Sequence, residues 1–418
     1  MRYSVALLVL VCLFAAGCSS NGAHETDDVL WLISLGIDKA EDCDLLVTYR
    51  IANPQAETPS GGGDSEGQGK KKSTVMTMKA PSLAEARNIL DASTSRTVSQ
   101  AHTMVLMISE ELARGGVQDL VGGLMRRRDF RGSVTIIVCR GKARDMFISN
   151  DPPIDKLISR WIQNYMRSSV DTSYYLDLNA HNFYTRLKAS SGAPLAVAYG
   201  LNPLSGEERN TKNRYTGRVD AYLPGDLPRQ GGNPTEVTGT AVFKEDKLAG
   251  FLDTGETRAL SILLDTFPHG VVTITDPLDP KKLVVVTIRN GRKPKFNIDI
   301  SGEHPVIGID VLLEGEITLI PSGINYEAKE YHTLIEGEIS NAFQEQITNM
   351  LFRTQQWGAD VVDFGRYIRP KFWTLQDMRQ YDWDKKYLQA AIHVKVQTQI
   401  RRAGLLRKSS PLRKSGDS

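Results

Sequence analysis

From residue 271 onward the chain alternates strand-like runs with turn residues and then commits a long stretch to a single helical face. Few folds satisfy both demands. Val271 to Thr275, Leu283 to Arg289, Lys295 to Ile300 and Ile307 to Leu319 are rich in β-branched residues. Turn signals such as Asn290-Gly291 separate them, which predicts an antiparallel meander. From about Glu327 to Phe352, the residues Ile335, Ile339, Ala342, Phe343, Ile347 and Met350 recur at helical spacing. A helix of about 25 residues is roughly 38 Å long, so it must run across a whole sheet face. Asp360 to Ile368 reads as a second helix stopped by Pro370, and Ala391 to Ile400 alternates as a closing strand.

The preceding part of the chain has a different rhythm. Val29 to Ile37 and Leu45 to Ile51 read as a hairpin across a charged turn, and Ser73 to Met78 resumes the strand pattern after Pro59 to Lys72, a loop with nothing apolar to bury. Ser82 with Glu85 forms a capping box for a helix whose Leu83, Ala86, Ile89 and Leu90 share a face. His102 to Ile108 is a strand, Glu110 to Arg114 and Val117 to Met125 are helices parted by Gly115-Gly116, and Val134 to Cys139 is a β-branched run that belongs in the centre of a sheet. Asp151-Pro152-Pro153 breaks this pattern. Beyond it come short helices at Leu157 to Tyr165 and His181 to Lys188, and a hairpin of Val237 to Lys244 with Lys247 to Leu252. A helix from Glu256 to Leu264 follows. The fold class expected is α+β: three mixed α/β domains, 29–150, 151–265 and 266–400, the last an antiparallel sheet packed with a long helix.

The first residues decide where such a body works. Arg2 is followed by an apolar run from Val5 to Ala16, closed by Ala15-Ala16-Gly17-Cys18. The run is about a dozen residues, short of the roughly 20 that span a bilayer, and reads as a secretory signal over 1–17. The small residues before Cys18 resemble a bacterial lipobox, although Ala15 stands where that pattern usually has Leu. The resemblance implies a thiol carrying diacylglycerol, an N-acyl chain on the new terminus, and a tether over 18–28. An ordinary signal with Cys18 incidental is the other reading. Acyl chains at about 0.8 kcal/mol per buried methylene would hold the body on an outer membrane surface.

A length of 418 residues calls for two or three domains, and 41% hydrophobic with 24% charged is a globular composition. A net charge of +2 argues against a dedicated nucleic-acid binder. Cys43 and Cys139 are expected to be buried free thiols, with a pairing outside the cytoplasm as the alternative. Gly63-Asp64-Ser65-Glu66-Gly67 spells a hydrolase elbow without the strand and helix that the elbow needs, and Gly69-Lys70 fails as a phosphate loop because Lys71 stands where Ser or Thr is required. No two histidines have the spacing of a zinc hydrolase, and His102 reads as structural. Glu314 with Glu316 and Glu336 with Glu338 read as solvated faces. No catalytic, cofactor or metal residues are therefore expected. Two basic stretches are candidates for contact with lipid or a partner. Arg126, Arg127 and Arg128, with Arg131, could instead be a solvated helix end. Arg401, Arg402, Arg407 and Lys408 open a basic tail, 401–418, expected to be disordered and to supplement the acyl anchor.

Several stretches together resemble the Ger(x)C spore germination lipoproteins, the C subunits of nutrient germinant receptors in endospore-forming bacteria. They are Trp31 to Lys39 with Ile51-Ala52-Asn53-Pro54; Ala101-His102; Glu110 to Gly116; Arg127 to Phe130; Gly239 to Lys244 with Asp246-Lys247-Leu248; Gly250 to Leu252; Glu256-Thr257-Arg258; Asp363-Phe364-Gly365; and Pro370 with Trp373. The resemblance implies a non-enzymatic subunit of three mixed α/β domains, tethered by lipid to the outer face of the spore inner membrane. It also implies a polytopic A subunit and an integral membrane B subunit as partners, with the complex committing a dormant spore to germinate. A lipid-anchored solute-binding protein and a wall-active enzyme are the alternatives; the meander fits the first poorly, and the second lacks a catalytic set.

Overall fold

The computed structural model describes residues 29–52, 73–153, 158–189, 191–204, 221–326 and 328–402. The signal, Cys18, the tether, the loop at 59–72 with its Gly-x-Ser-x-Gly, and Arg407 and Lys408 lie outside them.

One sheet takes its strands from residues 29 to 252. They are β1 (Val29–Lys39), β2 (Leu45–Ala52), β3 (Ser73–Ala80), β4 (Thr97–Ser99), β5 (Val105–Ser109), β6 (Thr135–Cys139), β7 (Leu195–Leu201), β8 (Thr235–Lys244) and β9 (Lys247–Leu252), ordered β3-β2-β1-β5-β6-β7-β8-β9, with β4 beside the start of β1. The central strands β1, β5, β6 and β7 run parallel, and antiparallel pairs close both edges. Parallel strands need both faces covered, which explains the unbroken apolar runs of β5 and β6. On one face Ala86 and Leu90 of α1 (Leu83–Ala92), Ala113 of α2 (Glu110–Gly115), Val121 and Leu124 of α3 (Gln118–Met125) and Phe183 of α6 (Ala180–Lys188) meet Leu106, Ile136, Ala196 and Ala198. On the other, Met146 and Phe147 of α4 (Ala143–Ser149) and Ile162 of α5 (Ile158–Arg167) meet Met107, Ile137 and Val197. The division expected at residue 151 does not coincide with a break in the sheet, because β7, β8 and β9 continue it.

The second sheet holds β10 (Gly270–Thr275), β11 (Leu283–Asn290), β12 (Lys295–Asp299), β13 (Val306–Leu319) and β14 (Ala391–Arg402). The strands are there, but they do not form a simple meander. β11 and β12 lie end to end along one edge of β13, pairing with Leu313–Leu319 and Val306–Asp310 respectively. Asn290-Gly291 is therefore a bulge rather than a reversal: the Gly291 N–H bonds the Leu312 carbonyl at 2.8 Å and the chain carries on in the same direction. The closing strand β14 pairs with the other edge of β13 in parallel, after the long helix α8 (Lys329–Gln356) has crossed back. At 28 residues α8 is about 42 Å long, close to the roughly 46 Å of the 14-residue β13, so helix and strand match end to end. Its Ile335, Ile339, Phe343, Ile347 and Met350 are buried on Ile307, Ile309, Val311, Leu313 and Ile317. Each such side chain contributes about 1.5–3 kcal/mol relative to exposure.

Between the sheets lies α7 (Thr254–Leu263), started by a capping box of Asp253 with Glu256 and buried at every position except Glu256. Its core is continuous with that of the second sheet and with Leu195, Val242 and Leu252 of the first.

Candidate functional site

Among the described residues no three His, Cys, Asp or Glu side chains stand where they could hold a metal ion, and no described helix is long and apolar enough to cross a membrane. The side chains singled out in the sequence turn out to be joints. His102 stands edge-on to Trp31 with ring centroids 4.5 Å apart. Asp38 caps α4, accepting the N–H groups of Ala143 at 2.6 Å and Arg144 at 2.9 Å, and burial outweighs those bonds to push its carboxyl up. A Cβ on the neighbouring Gly36 would reach within 2.8 Å of the Phe147 ring. The Glu314 carboxylate is not simply solvated; it joins Arg289 at 2.7 Å and Arg401 at 3.0 Å. Glu336 accepts the Ile400 N–H at 2.8 Å and ties α8 to β14. Ser82 caps α1 through the Glu85 N–H at 3.2 Å. Cys139 is a buried free thiol whose pKa burial drives well up.

The basic candidates divide. Arg126 and Arg128 are exposed, but Arg127 is half-buried and bonds Asp129 at 3.2 Å, and Asp129 also takes Arg87 at 2.8 Å. Burial pushes the Asp129 carboxyl up, and the two guanidiniums override it to leave the pKa below the ordinary value. Arg127 is thus a structural cation and not a surface contact. Arg401 and Arg402 belong to β14 rather than to a disordered tail, because the β13 ladder continues to Arg402. Arg131 borders a groove of about 690 Å³ at the amino ends of β1, β5 and β6, together with Trp31, His102, Gln163 and Arg167. The buried Thr103, which also lines it, has a hydroxyl with no hydrogen-bond partner among the described residues.

The most elaborate polar arrangement joins the two sheets, and the sequence reading missed most of it. Asp360, fully buried, accepts the N–H groups of Phe364 at 2.9 Å and Gly365 at 3.0 Å and the Trp383 Nε1–H at 2.9 Å. Burial outweighs these bonds and moves its carboxyl up to about 6. Arg186 of α6 donates to the Ala193 and Val361 carbonyls, both at 2.9 Å, which carries the first half of the chain onto the second. Asp363, at a φ of 65°, accepts the Ser191 hydroxyl at 2.8 Å. A Cβ on Gly192 would stand 2.8 Å from the Asp363 carboxyl carbon, and one on Gly365 would collide with Ser191 and with the Trp383 ring. A second joint is Arg353 of α8 on Glu256 at 2.6 Å, with Trp357 packed where a Cβ on Gly250 would sit. Beside these joints runs a groove of about 850 Å³, lined by Asp177 and Thr185 of the first half and Lys293, Phe296 and Arg366 of the second. Asp363-Phe364-Gly365 and Glu256-Thr257-Arg258 were legible as motifs; their partners Arg186, Ser191 and Trp383, distant in sequence, were not.

Comparison with known proteins also divides the chain into two parts. Residues 22–199 match the model described as "Spore germination protein N-terminal domain", and residues 238–404 match "Spore germination B3/ GerAC like, C-terminal". The putative spore germination protein YfkR of Bacillus subtilis (strain 168) is 23% identical over 97% of this chain and 98% of its own length. Spore germination protein KC of the same organism is 24% identical, covering 96% and 95%, and spore germination protein B3 is 23% identical, covering 89% and 90%. The crystal structure of the GerBC protein aligns at 20% identity over 88% of this chain and 96% of that one, with a TM-score of 0.49. The second family match begins inside β8, so the family boundary runs through the first sheet: the hairpin β8–β9 pairs with β7, while its Val242 and Leu252 share the core of α7 and the second sheet. The chain belongs to the GerAC-like family of spore germination proteins.

Proposed function

We propose that this chain is a non-enzymatic subunit of a nutrient germinant receptor, held by lipid on Cys18 at the outer face of the spore inner membrane. There it works with a polytopic and an integral membrane partner in assembly or signalling. The observation that carries this reading is the match of two germination-family models to both halves of the chain, behind an apolar run closed by Ala15-Ala16-Gly17-Cys18. Asp360, Asp363, Arg186, Arg353 and Glu256 are engaged in holding the halves together, which suits a scaffold better than a catalyst. Covalent diacylglycerol and N-acyl lipid are the only attached groups in this proposal. Crosslinking in the membrane followed by pull-down tests it. Wild type should recover two membrane partners, and Cys18→Ala should lose them; equal recovery from both chains would remove the lipid anchor from the proposal. The 850 Å³ groove, with Asp177 and Arg366 of opposite charge among its lining residues, favours one alternative, a solute-binding protein. Calorimetric titration with amino acids separates the two, since the receptor-scaffold reading expects no heat of binding.

A further inference from the structure

Between α9 (Phe364–Ile368) and α10 (Leu375–Tyr381) the chain holds an indole entirely in water: Trp373 is 100% exposed. The support beneath it is rigid. Phe372 lies against Tyr381 with centroids 5.3 Å apart, Pro370 sits in the tight turn Arg369–Lys371, and the Lys371 ammonium bonds the Ile298 carbonyl. Thr374 and Asp377 close a capping box on α10, with the Thr374 N–H on the Asp377 carboxylate at 3.1 Å. Leu375, 56% exposed, follows two residues on; Tyr367, 50% exposed, lies on α9; and Arg366, Arg369 and Arg379 are exposed on the elements that the Trp373 turn joins. From Phe364 to Tyr381 the chain carries Arg366, Arg369, Lys371 and Arg379 against one carboxylate, Asp377, so the segment is aromatic and cationic.

A knob of this kind suits a surface that needs no preformed socket. Tryptophan and tyrosine settle at the headgroup level of a bilayer, and guanidiniums near them gain from anionic phosphates. The acyl chains on Cys18 would hold the body at the surface through a single tether, and a second contact is needed to fix its orientation there. We propose that the Trp373 loop is that contact, inserting its indole among the headgroups of anionic lipid while Arg366, Arg369 and Arg379 face the phosphates. The proposal rests on the membrane-anchored reading above and assigns the orientation of the body on the membrane.

The test uses the mature chain from residue 18 with Cys18→Ala, so that no acyl group contributes. It compares vesicles of phosphatidylcholine with vesicles containing phosphatidylglycerol. Binding should require the anionic lipid. Trp373→Ala should weaken partitioning by about tenfold or more, the share expected of a large buried apolar group. Arg366→Glu with Arg369→Glu should abolish it at low salt, and brominated lipid should quench wild-type fluorescence more than that of Trp373→Phe. Unchanged binding by Trp373→Ala overturns the proposal. So does a wild type that ignores vesicles while Trp373 crosslinks to a membrane protein, which would make the loop a protein contact. Both outcomes leave Cys18-dependent recovery of partners intact, so failure here is distinguishable from failure of the receptor reading. Trp373, Arg366 and Arg369 are exposed, and unchanged circular dichroism confirms that each variant is folded.

Discussion

Replacing Asp360 by Asn should flatten a pH dependence that the wild type carries at its central joint. The folded carboxyl titrates at about 6 against an ordinary 3.8, because burial outweighs the N–H groups of Gly365 and Phe364 and the Trp383 indole. Below 3.8 both folded and unfolded chains are protonated there, and the contribution to stability is fully present. As pH rises from 3.8 to about 6 the unfolded chain releases its proton while the folded chain keeps it, so stability falls and then levels off. Roughly two pKa units at about 1.36 kcal/mol each make a loss of about 3 kcal/mol. Asp363 and Asp38 are also raised and add slope of the same sign, but both remain in the variant. The asparagine NH₂ would face the Gly365 N–H and the Trp383 Nε1–H, which offsets the variant by about 1–3 kcal/mol for each unsatisfied donor. The informative quantity is therefore the change in the stability difference with pH. Urea unfolding of both chains in steps from pH 4 to pH 7, followed by far-UV circular dichroism, should show the variant gaining about 3 kcal/mol on the wild type across the window. Parallel curves would refute the account of Asp360 as a buried, proton-holding carboxyl.

Gly365→Ala should cost about 1–3 kcal/mol by forcing its methyl into Ser191 and Trp383, read as a lower thermal midpoint. A melt unchanged from wild type would show that the joint is loose. Arg127→Glu should destabilise the fold by reversing the charge beside Asp129, whereas Arg126→Glu with Arg128→Glu should leave the melting curve within the scatter of exposed substitutions. Cys139 should resist a thiol reagent in the native state and react on unfolding, since its thiol is buried and its pKa is raised by that burial. Immediate labelling without denaturant would contradict this.

The strands and the long helix were legible in the sequence because their patterning follows directly from burial on one face. The parallel pairing of β13 with β14 was not, since alternation along Ala391 to Ile400 is the same whichever neighbour the strand takes. Asn290-Gly291 carries strong turn chemistry, and only the opposing β13 decides that it makes a bulge. Arg127 looked like its exposed neighbours because Asp129, adjacent in sequence, gave no sign that Arg87 would arrive from another helix. In the sequence Asp360 reads as an ordinary helix start. The partners that make it a joint come from opposite directions along the chain, and no local pattern encodes them.

The burial of α7 has a consequence for inheritance. The seam between the two family matches falls between β7 and β8, which are neighbouring strands of one ladder. A recombination event there would leave an open strand edge on both fragments and strip α7 of half its surroundings. The two halves can therefore drift in sequence, but they must travel together through evolution. A functional exchange between related genes would therefore move the whole chain rather than one half.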